Sequence, residues 1–161
     1  MITRKYTCLL FGEGRKDKNF LYALSELSKF KYYTKNWHFK HGNWHGCSAF
    51  DVVDSCKKEK TGEEDVVLCF IDLDDLKSDY PDEWDKKILI LEEDSLKYNI
   101  NIIWQIDSAE DEYKKVLGNE YKNINKHRVN KAAKDNIEKF INSDLWKRIL
   151  KPIVDFENSN K

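Results

Sequence analysis

Short apolar runs alternate along this chain with longer stretches in which apolar residues recur every three or four positions. The runs are rich in β-branched and aromatic residues, which predicts strands over residues 5–11, 31–39, 66–71 and 100–106. The periodic stretches between them predict helices that begin near Asp17, Ser48 and Pro81. The polar residues 41–46 predict a loop after the second strand.

The order of these elements predicts the fold class. Alternating strands and helices, followed by further helices, predict an α/β protein with a mostly parallel four-stranded sheet, because right-handed crossovers place helices over its faces. We therefore expect a three-layer, Rossmann-like fold with C-terminal helices. After the fourth strand, Ser108 predicts the start of a helix and Gly118 its end, and an amphipathic stretch covers residues 129–141.

The length of 161 residues fits one domain. We assign residues 1–156 to it, with a core at about 5–110 and a helical extension over 111–156. The Asn-rich residues 157–161 predict a disordered tail.

The composition narrows the classes of function. Hydrophobic residues make up 40% of the chain and charged residues 35%, and no apolar stretch approaches the ~18 residues of a membrane span. We therefore expect a cytoplasmic protein with reduced cysteines and no membrane contact. The net charge of -1 excludes a uniformly basic nucleic-acid binder, so contact with a polyanion would be local, through clusters at residues 57–60 or 122–134. Such clusters are most often solvated helix faces.

Acidic residues follow three of the predicted strands directly. The carboxyl ends of parallel strands form the edge at which open α/β sheets bind ligands, so these acids are expected to meet there. They are Glu13 after the first strand, Asp72, Asp74 and Asp75 after the third, and Asp107 with Glu110 after the fourth.

Carboxylates gathered at one edge repel one another, and a divalent cation offsets that repulsion. Mg²⁺ is the expected ion because it prefers oxygen ligands and serves phosphate chemistry, and Mn²⁺ accepts similar ligands. Asp72 and Asp74 would leave the same face of an extended backbone, whereas Asp75 would cap the following turn. Alone, such acids are more often caps or surface groups, but the addition of Glu13 favours a metal site.

Two segments, residues 9–21 and 70–75, resemble the Toprim domain, the catalytic fold shared by topoisomerases, primases and several nucleases. The shared features are Glu13 after the first strand, an apolar strand ending in Asp72-Leu73-Asp74, and their order along the chain. The resemblance covers about residues 5–110. It is nearest to the nucleases of the overcoming-lysogenization-defect class and to small RloB-like proteins, whose ExxxE/D and SxE elements resemble Glu13 to Asp17 and Ser108-Ala109-Glu110.

The resemblance implies a Toprim-like fold and a metal-dependent nuclease that hydrolyses phosphodiester bonds of DNA or RNA with Mg²⁺ or Mn²⁺. In that hypothesis Glu13, Asp72 and Asp74 hold the metal. Asp17 and Glu110 help to hold a second ion, and Glu13 can instead act as general acid or base.

The resemblance also implies a late lysine at the scissile phosphate, Lys131 or Lys134, with Lys16, Gly14 and Ser108 on the substrate side. A surface position is the simpler interpretation of each lysine. The 161 residues contain no counterpart of the ATPase domain of the overcoming-lysogenization-defect proteins, so nucleotide-driven control is not carried over. A free-standing Toprim unit and a component of a larger assembly, with a protein partner such as an ATPase subunit, both stay open. Phage defence or a mobile-element system is the expected setting.

The loop around residues 38–47 suggests two other roles. His38, His41, His45 and Cys47 offer zinc ligands, although their spacing fits no familiar two-pair finger. The same loop could form a wall of the substrate site, with His45 in contact with unpaired bases.

Two alternatives to a nuclease stay open. One is a non-catalytic nucleic-acid-binding or regulatory subunit with the same fold. The other is a small phosphotransferase or response-regulator-like protein, which also places acids after strands. The Glu13-Gly14 turn fits the second pattern poorly.

Overall fold

The computed structural model describes residues 6–12, 36–43, 48–106 and 108–160. In this part of the chain there are four strands, helices follow the second and third of them, and a helical C-terminal region follows the fourth. The strands are β1 Tyr6–Gly12, β2 Trp37–Asn43, β3 Val66–Asp72 and β4 Ile100–Gln105. The helices, numbered over the described residues, are α1 Ala49–Glu59, α2 Leu73–Asp79, α3 Trp84–Lys97, α4 Ala109–Leu117, α5 Lys126–Asp135 and α6 Asp144–Ser159.

The four strands form one sheet in the order β2-β1-β3-β4, and all three pairings are parallel. The predicted fold class, an α/β protein with a parallel four-stranded sheet and C-terminal helices, is therefore confirmed. The chain runs from β1 outward to β2 and then returns to β3 on the other side of β1. This change of direction places the point where such sheets bind ligands between the carboxyl ends of β1 and β3.

Two hydrophobic cores, one on each face of the sheet, make the fold a three-layer sandwich. β3 is buried along its whole length, as its continuous apolar sequence predicts for a strand covered on both faces. One core packs alternate strand residues against α4, α5 and α6, and the other packs the remaining strand residues against α1, α2 and α3. No helix in the described ranges is long and apolar enough to span a membrane.

The prediction for β2 was wrong in its position. The strand covers Trp37–Asn43 and pairs with all seven residues of β1, whereas the prediction ended it at residue 39 and placed 41–43 in a loop. Pairing with a neighbouring strand outweighs the local turn preference of Gly42. A Cβ atom at this glycine would lie 2.9 Å from Cδ2 of Phe11, so glycine is the residue that fits beside this ring.

Two helix boundaries in the C-terminal region also differ from the predictions. α5 begins at Lys126, because Asn125 caps it by accepting a hydrogen bond from the Arg128 amide, and it ends at Asp135 rather than near 141. The predicted tail at 157–161 is helical through Ser159. Its first residue, Glu157, accepts a hydrogen bond of 2.6 Å from Nε1 of the buried Trp37, which holds the end of α6 against β2.

Candidate metal centre

Three aspartates meet where β3 ends and α2 begins. Asp72 is the last residue of β3 and the N-cap position of α2, and Asp74 and Asp75 lie in the first helical turn. One carboxylate oxygen from each of the three lies within 4.8 Å of the others. Asp72 is buried, Asp75 is half-buried and Asp74 is exposed, so the cluster is reached from solvent on one side.

The aspartates meet by a different route from the one predicted. The backbone leaves the extended conformation after Asp72, so Asp74 projects from the first turn of a helix rather than from a strand. The first turn of a helix brings the residues two and three positions after the N-cap close to the N-cap residue itself. The result is a cluster of hard oxygen ligands that could hold a metal ion, as the sequence predicted.

A hydrogen bond fixes the orientation of the Asp72 side chain. Its Oδ1 atom accepts a buried hydrogen bond of 2.9 Å from the backbone amide of Ala109, the first residue of α4. An anionic carboxylate is favoured at a helix N-terminus by the unpaired amides and the helix dipole. This contact joins the end of β3 to the segment that follows β4.

Glu110 lies directly after that contact. It is 3% exposed, and its Oε1 atom accepts a hydrogen bond of 3.3 Å from Nδ2 of Asn130 on α5. The Oδ1 atom of Asn130 is buried without a hydrogen-bond partner among the described residues. Glu110 is thus a buried acid beside the Asp72 anchor, although it does not belong to the cluster formed by Asp72, Asp74 and Asp75.

Ser108, predicted on the substrate side, caps α4. Its Oγ atom accepts from the Asp111 amide at 3.2 Å and donates to Oδ2 of Asp111 at 2.8 Å. The side chain is buried, and its hydroxyl proton already has a protein acceptor. Helix capping therefore explains Ser108 without a substrate.

The two candidate lysines lie on α5 and both are exposed. Lys134 is one turn after Asn130 and so lies on nearly the same face of the helix as the residue that contacts Glu110. Lys131 instead lines a shallow surface cavity with Arg128 and Asp135. Of the two, helical spacing therefore relates Lys134 to the face of α5 that carries Asn130.

Several predicted site residues lie outside the described residues, and their predicted roles stay predictions. Gly12, the last described residue before Glu13, ends β1, which is the neighbour of β3 in the sheet. The residues concerned are Glu13, Gly14, Lys16, Asp17, His45 and Asp107.

The two described histidines of the proposed zinc loop cannot share a metal ion. His38 and His41 both belong to β2 and are three positions apart, so their side chains leave opposite faces of the sheet. Cys56, a cysteine near this loop in the sequence, lies on α1 and is buried in the hydrophobic core. A zinc site built from His38 and His41 together is therefore excluded, while His45 and Cys47 lie outside the described residues.

Two polar residues that position this region give little signal in the sequence. Asn130 is one polar residue on a polar helix, and only its contact with Glu110 distinguishes it. Glu112 is buried and accepts from Nη2 of Arg148 at 2.7 Å and from the Ile106 amide at 2.8 Å. The spacing of Ser108, Glu110 and Glu112 is a weak signal of burial. Side chains two positions apart on a helix point in nearly opposite directions, so these residues cannot all face solvent.

An open groove of about 620 Å³ lies elsewhere, along the free edge of β4 between α3 and α6. Its lining is mainly apolar and includes Ile102 and Leu96. None of the described site residues lines it. The candidate chemistry therefore belongs to the acidic cluster at the strand ends and not to this groove.

Comparison of the chain with models of protein families, with curated proteins and with solved structures finds no match.

Proposed function

We propose that this chain is a Mg²⁺-dependent nuclease of the Toprim type, which hydrolyses phosphodiester bonds of DNA or RNA and accepts Mn²⁺ in place of Mg²⁺. The observation on which the proposal depends is the cluster of Asp72, Asp74 and Asp75, with carboxylate oxygens within 4.8 Å of one another at the carboxyl end of β3. The resemblance of residues 9–21 and 70–75 to Toprim nucleases supplies the reaction class.

The donor set fits a hard divalent cation. All three ligands are carboxylates, which suit Mg²⁺ or Mn²⁺ better than the softer metals that select thiolates or imidazoles. When bound, such an ion supplies Lewis-acid stabilisation of the charge that develops on the phosphate and the leaving oxygen. The exposed Asp74 and half-buried Asp75 leave one side of the cluster open to a substrate.

The protein's own residues have separable roles in this proposal. The Ala109 amide holds one oxygen of Asp72 and so orients its carboxylate. Glu110, fixed by Asn130, supplies a second acidic position, and Lys134 offers a positive charge for phosphate. Glu13 completes the site as metal ligand or general acid–base group. We further propose a separate ATPase subunit as partner, and a role in phage defence or a mobile-element system.

The decisive experiment measures metal binding and cleavage with the same protein. The full chain is titrated with Mg²⁺ and Mn²⁺ by calorimetry, then incubated with linear and circular duplex DNA, single-stranded DNA and RNA. Asp72→Asn keeps the acceptor for the Ala109 amide but removes the charge, so it should fold normally and lose at least about 100-fold in metal affinity and cleavage rate. Glu13→Gln should abolish cleavage.

Asp79→Asn is the matched control, because Asp79 lies exposed at the other end of α2. It should bind metal and cleave like the unchanged chain. Metal binding that survives Asp72→Asn would refute the assigned cluster. Metal binding without cleavage of any substrate would refute the nuclease and favour the alternative function.

That alternative is a non-catalytic nucleic-acid-binding subunit, and α5 is the observation that favours it. The helix presents Lys126, Arg128, Lys131 and Lys134, all exposed, against the single acid Asp135. Within the described ranges none of the four forms an ion pair with an acid. A local positive surface of this kind suits a phosphate backbone even where no bond is cleaved.

A further inference from the structure

Helix α3 exposes large apolar side chains to solvent. Leu89 is 61% exposed, Ile90 51% and Leu96 65%, and they account for three of the five exposed large apolar residues in the described part of the chain. A fourth, Tyr98, is the residue at the C-terminal cap of the same helix. Contiguous exposed apolar groups mark interaction surfaces more often than isolated ones do.

The exposed face is distinct from the face by which α3 packs on its own domain. The helix is held through the buried residues Leu91 and Ser95, with Trp84 and Ile88 half-buried in the same core. At 100° per residue, Leu89, Ile90 and Leu96 lie within about 120° of one another on the opposite side. Among the described residues, the core of the domain therefore packs on the other face of α3.

Charged residues flank the exposed apolar group in a self-complementary order. Lys86 lies one turn before Leu89 and Ile90, and Glu93 lies one turn after them. Both are exposed, and among the described residues neither forms an ion pair. A base thus precedes the exposed apolar pair Leu89 and Ile90 on this face, and an acid follows it.

An antiparallel copy of the same helix matches both features. If a two-fold axis passes between Leu89 and Ile90, Leu89 of one chain packs beside Ile90 of the other. Lys86 then stands opposite Glu93 of the second copy, and the symmetry produces this pair twice. The register also brings Lys97 within one residue of Glu83, again with opposite signs.

We propose that the protein forms a two-fold symmetric homodimer through antiparallel packing of α3. Packing of Leu89 and Ile90 across the two-fold axis supplies the attraction, and the Lys86–Glu93 pairs select a second copy of this chain and set the register, as flanking charges do in coiled coils. None of the proposed metal ligands lies on α3, so the dimer is independent of the proposed nuclease activity.

Charge exchange provides a specific test by sedimentation equilibrium. Lys86→Glu alone places acid opposite acid twice, and Glu93→Lys alone places base opposite base twice. Each should weaken the dimer by about tenfold or more. Mixing the two variants should restore association as a heterodimer, and the double variant Lys86→Glu/Glu93→Lys should restore the homodimer.

Two further variants separate this interface from a loss of folding. Leu89→Asp changes a side chain that is 61% exposed, so it should yield a folded monomer with an unchanged circular dichroism spectrum. Lys147→Glu, exposed on α6, should leave the dimer intact. A chain that is monomeric at every concentration, or a dimer that Leu89→Asp leaves intact, would overturn the proposal. Failure of the mixed variants to associate would overturn it as well.

Discussion

At the scale of single residues, Glu64 shows how the fold stabilises a buried charge. This residue, in the turn before β3, is 6% exposed. Its carboxylate accepts hydrogen bonds from Nζ of Lys40 at 2.9 Å and from the amides of Thr61 and Gly62. Burial by itself would raise the pKa of Glu64, but these donors outweigh that effect and lower the pKa to about 2.

The lowered pKa of Glu64 predicts an acid-dependent loss of stability. The folded state favours the charged form, so the contribution is complete above the ordinary pKa of 4.5 and is lost as the pH falls toward about 2. Glu64→Gln should lower the free energy of unfolding by about 2 to 3 kcal/mol near pH 7 and flatten its dependence on pH in this window. Urea unfolding as a function of pH measures both effects.

The neighbouring residue Glu63 is the control for this prediction. It is exposed, and only its backbone amide makes a local hydrogen bond, to the Thr61 hydroxyl. Glu63→Gln should change stability by less than about 0.5 kcal/mol. An equal loss in both variants, or an unchanged pH profile in Glu64→Gln, would contradict the assigned role of Glu64.

At the scale of elements, one ion pair connects α6 to α4 and to the end of β4. Arg148 of α6 donates to Glu112 of α4 and to the carbonyl oxygen of Trp104, and Glu112 also accepts from the Ile106 amide. The pair thus occupies the Trp104 carbonyl and the Ile106 amide at the carboxyl end of the edge strand β4. Unpaired groups on an edge strand are otherwise available to another strand.

Removal of the Arg148 side chain should therefore lower the free energy of unfolding. Arg148→Met would leave the buried Glu112 without its counterion, and we expect a loss of about 2 to 4 kcal/mol in denaturant unfolding. Lys151→Met, which breaks an exposed pair with Asp155 on the same helix, should cost less than about 1 kcal/mol. Adding Glu112→Gln to Arg148→Met should recover part of the loss. Equal effects of Arg148→Met and Lys151→Met would contradict this assignment.

The basic helix α5 leads to a prediction about the salt dependence of nucleic-acid binding. If its four cations contact phosphates, a plot of log affinity against log salt concentration should be steep. Lys134→Gln should then reduce the slope by about 0.7 for single strands or 0.9 for duplex DNA. Lys147→Gln on α6 is the control and should leave the slope unchanged. An unaltered slope for Lys134→Gln would remove this lysine from the interface.

At the scale of the whole molecule, the C-terminal helix is part of the core of the domain. α6 contributes Leu145, Trp146, Ile149 and Ile153 to the core on one face of the sheet, and Glu157 joins it to β2. Without α6, the part of that face that α4 and α5 do not cover would be exposed. The structure thus integrates the region beyond about residue 111 with the strands that it covers.

This arrangement predicts the outcome of truncation. A chain ending at Ser143 should lose its cooperative thermal transition, because the strand residues under α6 would be exposed to water. A chain ending at Glu157 keeps the apolar residues of α6 and the Trp37 contact, so its thermal unfolding should be cooperative and close to that of the full chain. Cooperative unfolding of the shorter chain would show that the strands form an independent domain.

The sequence by itself determined the features that depend on local pattern. The continuous apolar run of β3, the Ser48 and Ser108 caps, the Gly118 stop and the parallel α/β order all follow from residue periodicity and turn chemistry. Acidic residues that directly follow a strand of a parallel sheet lie at the carboxyl ends of its strands, so the position of the Asp72 cluster was predictable as well.

Only the tertiary structure decided what depends on contacts between distant parts of the chain. Pairing with β1 moved β2 toward residue 43, although the local sequence favoured a loop there. The Glu110–Asn130 contact joins residues 20 positions apart, and the Glu112–Arg148 pair joins residues 36 apart. Periodicity identifies which face of an element is apolar, but it does not specify which distant polar group will meet a buried acid. For that reason the sequence predicted the acidic cluster, while the residues that hold its surroundings in place emerged only from the fold.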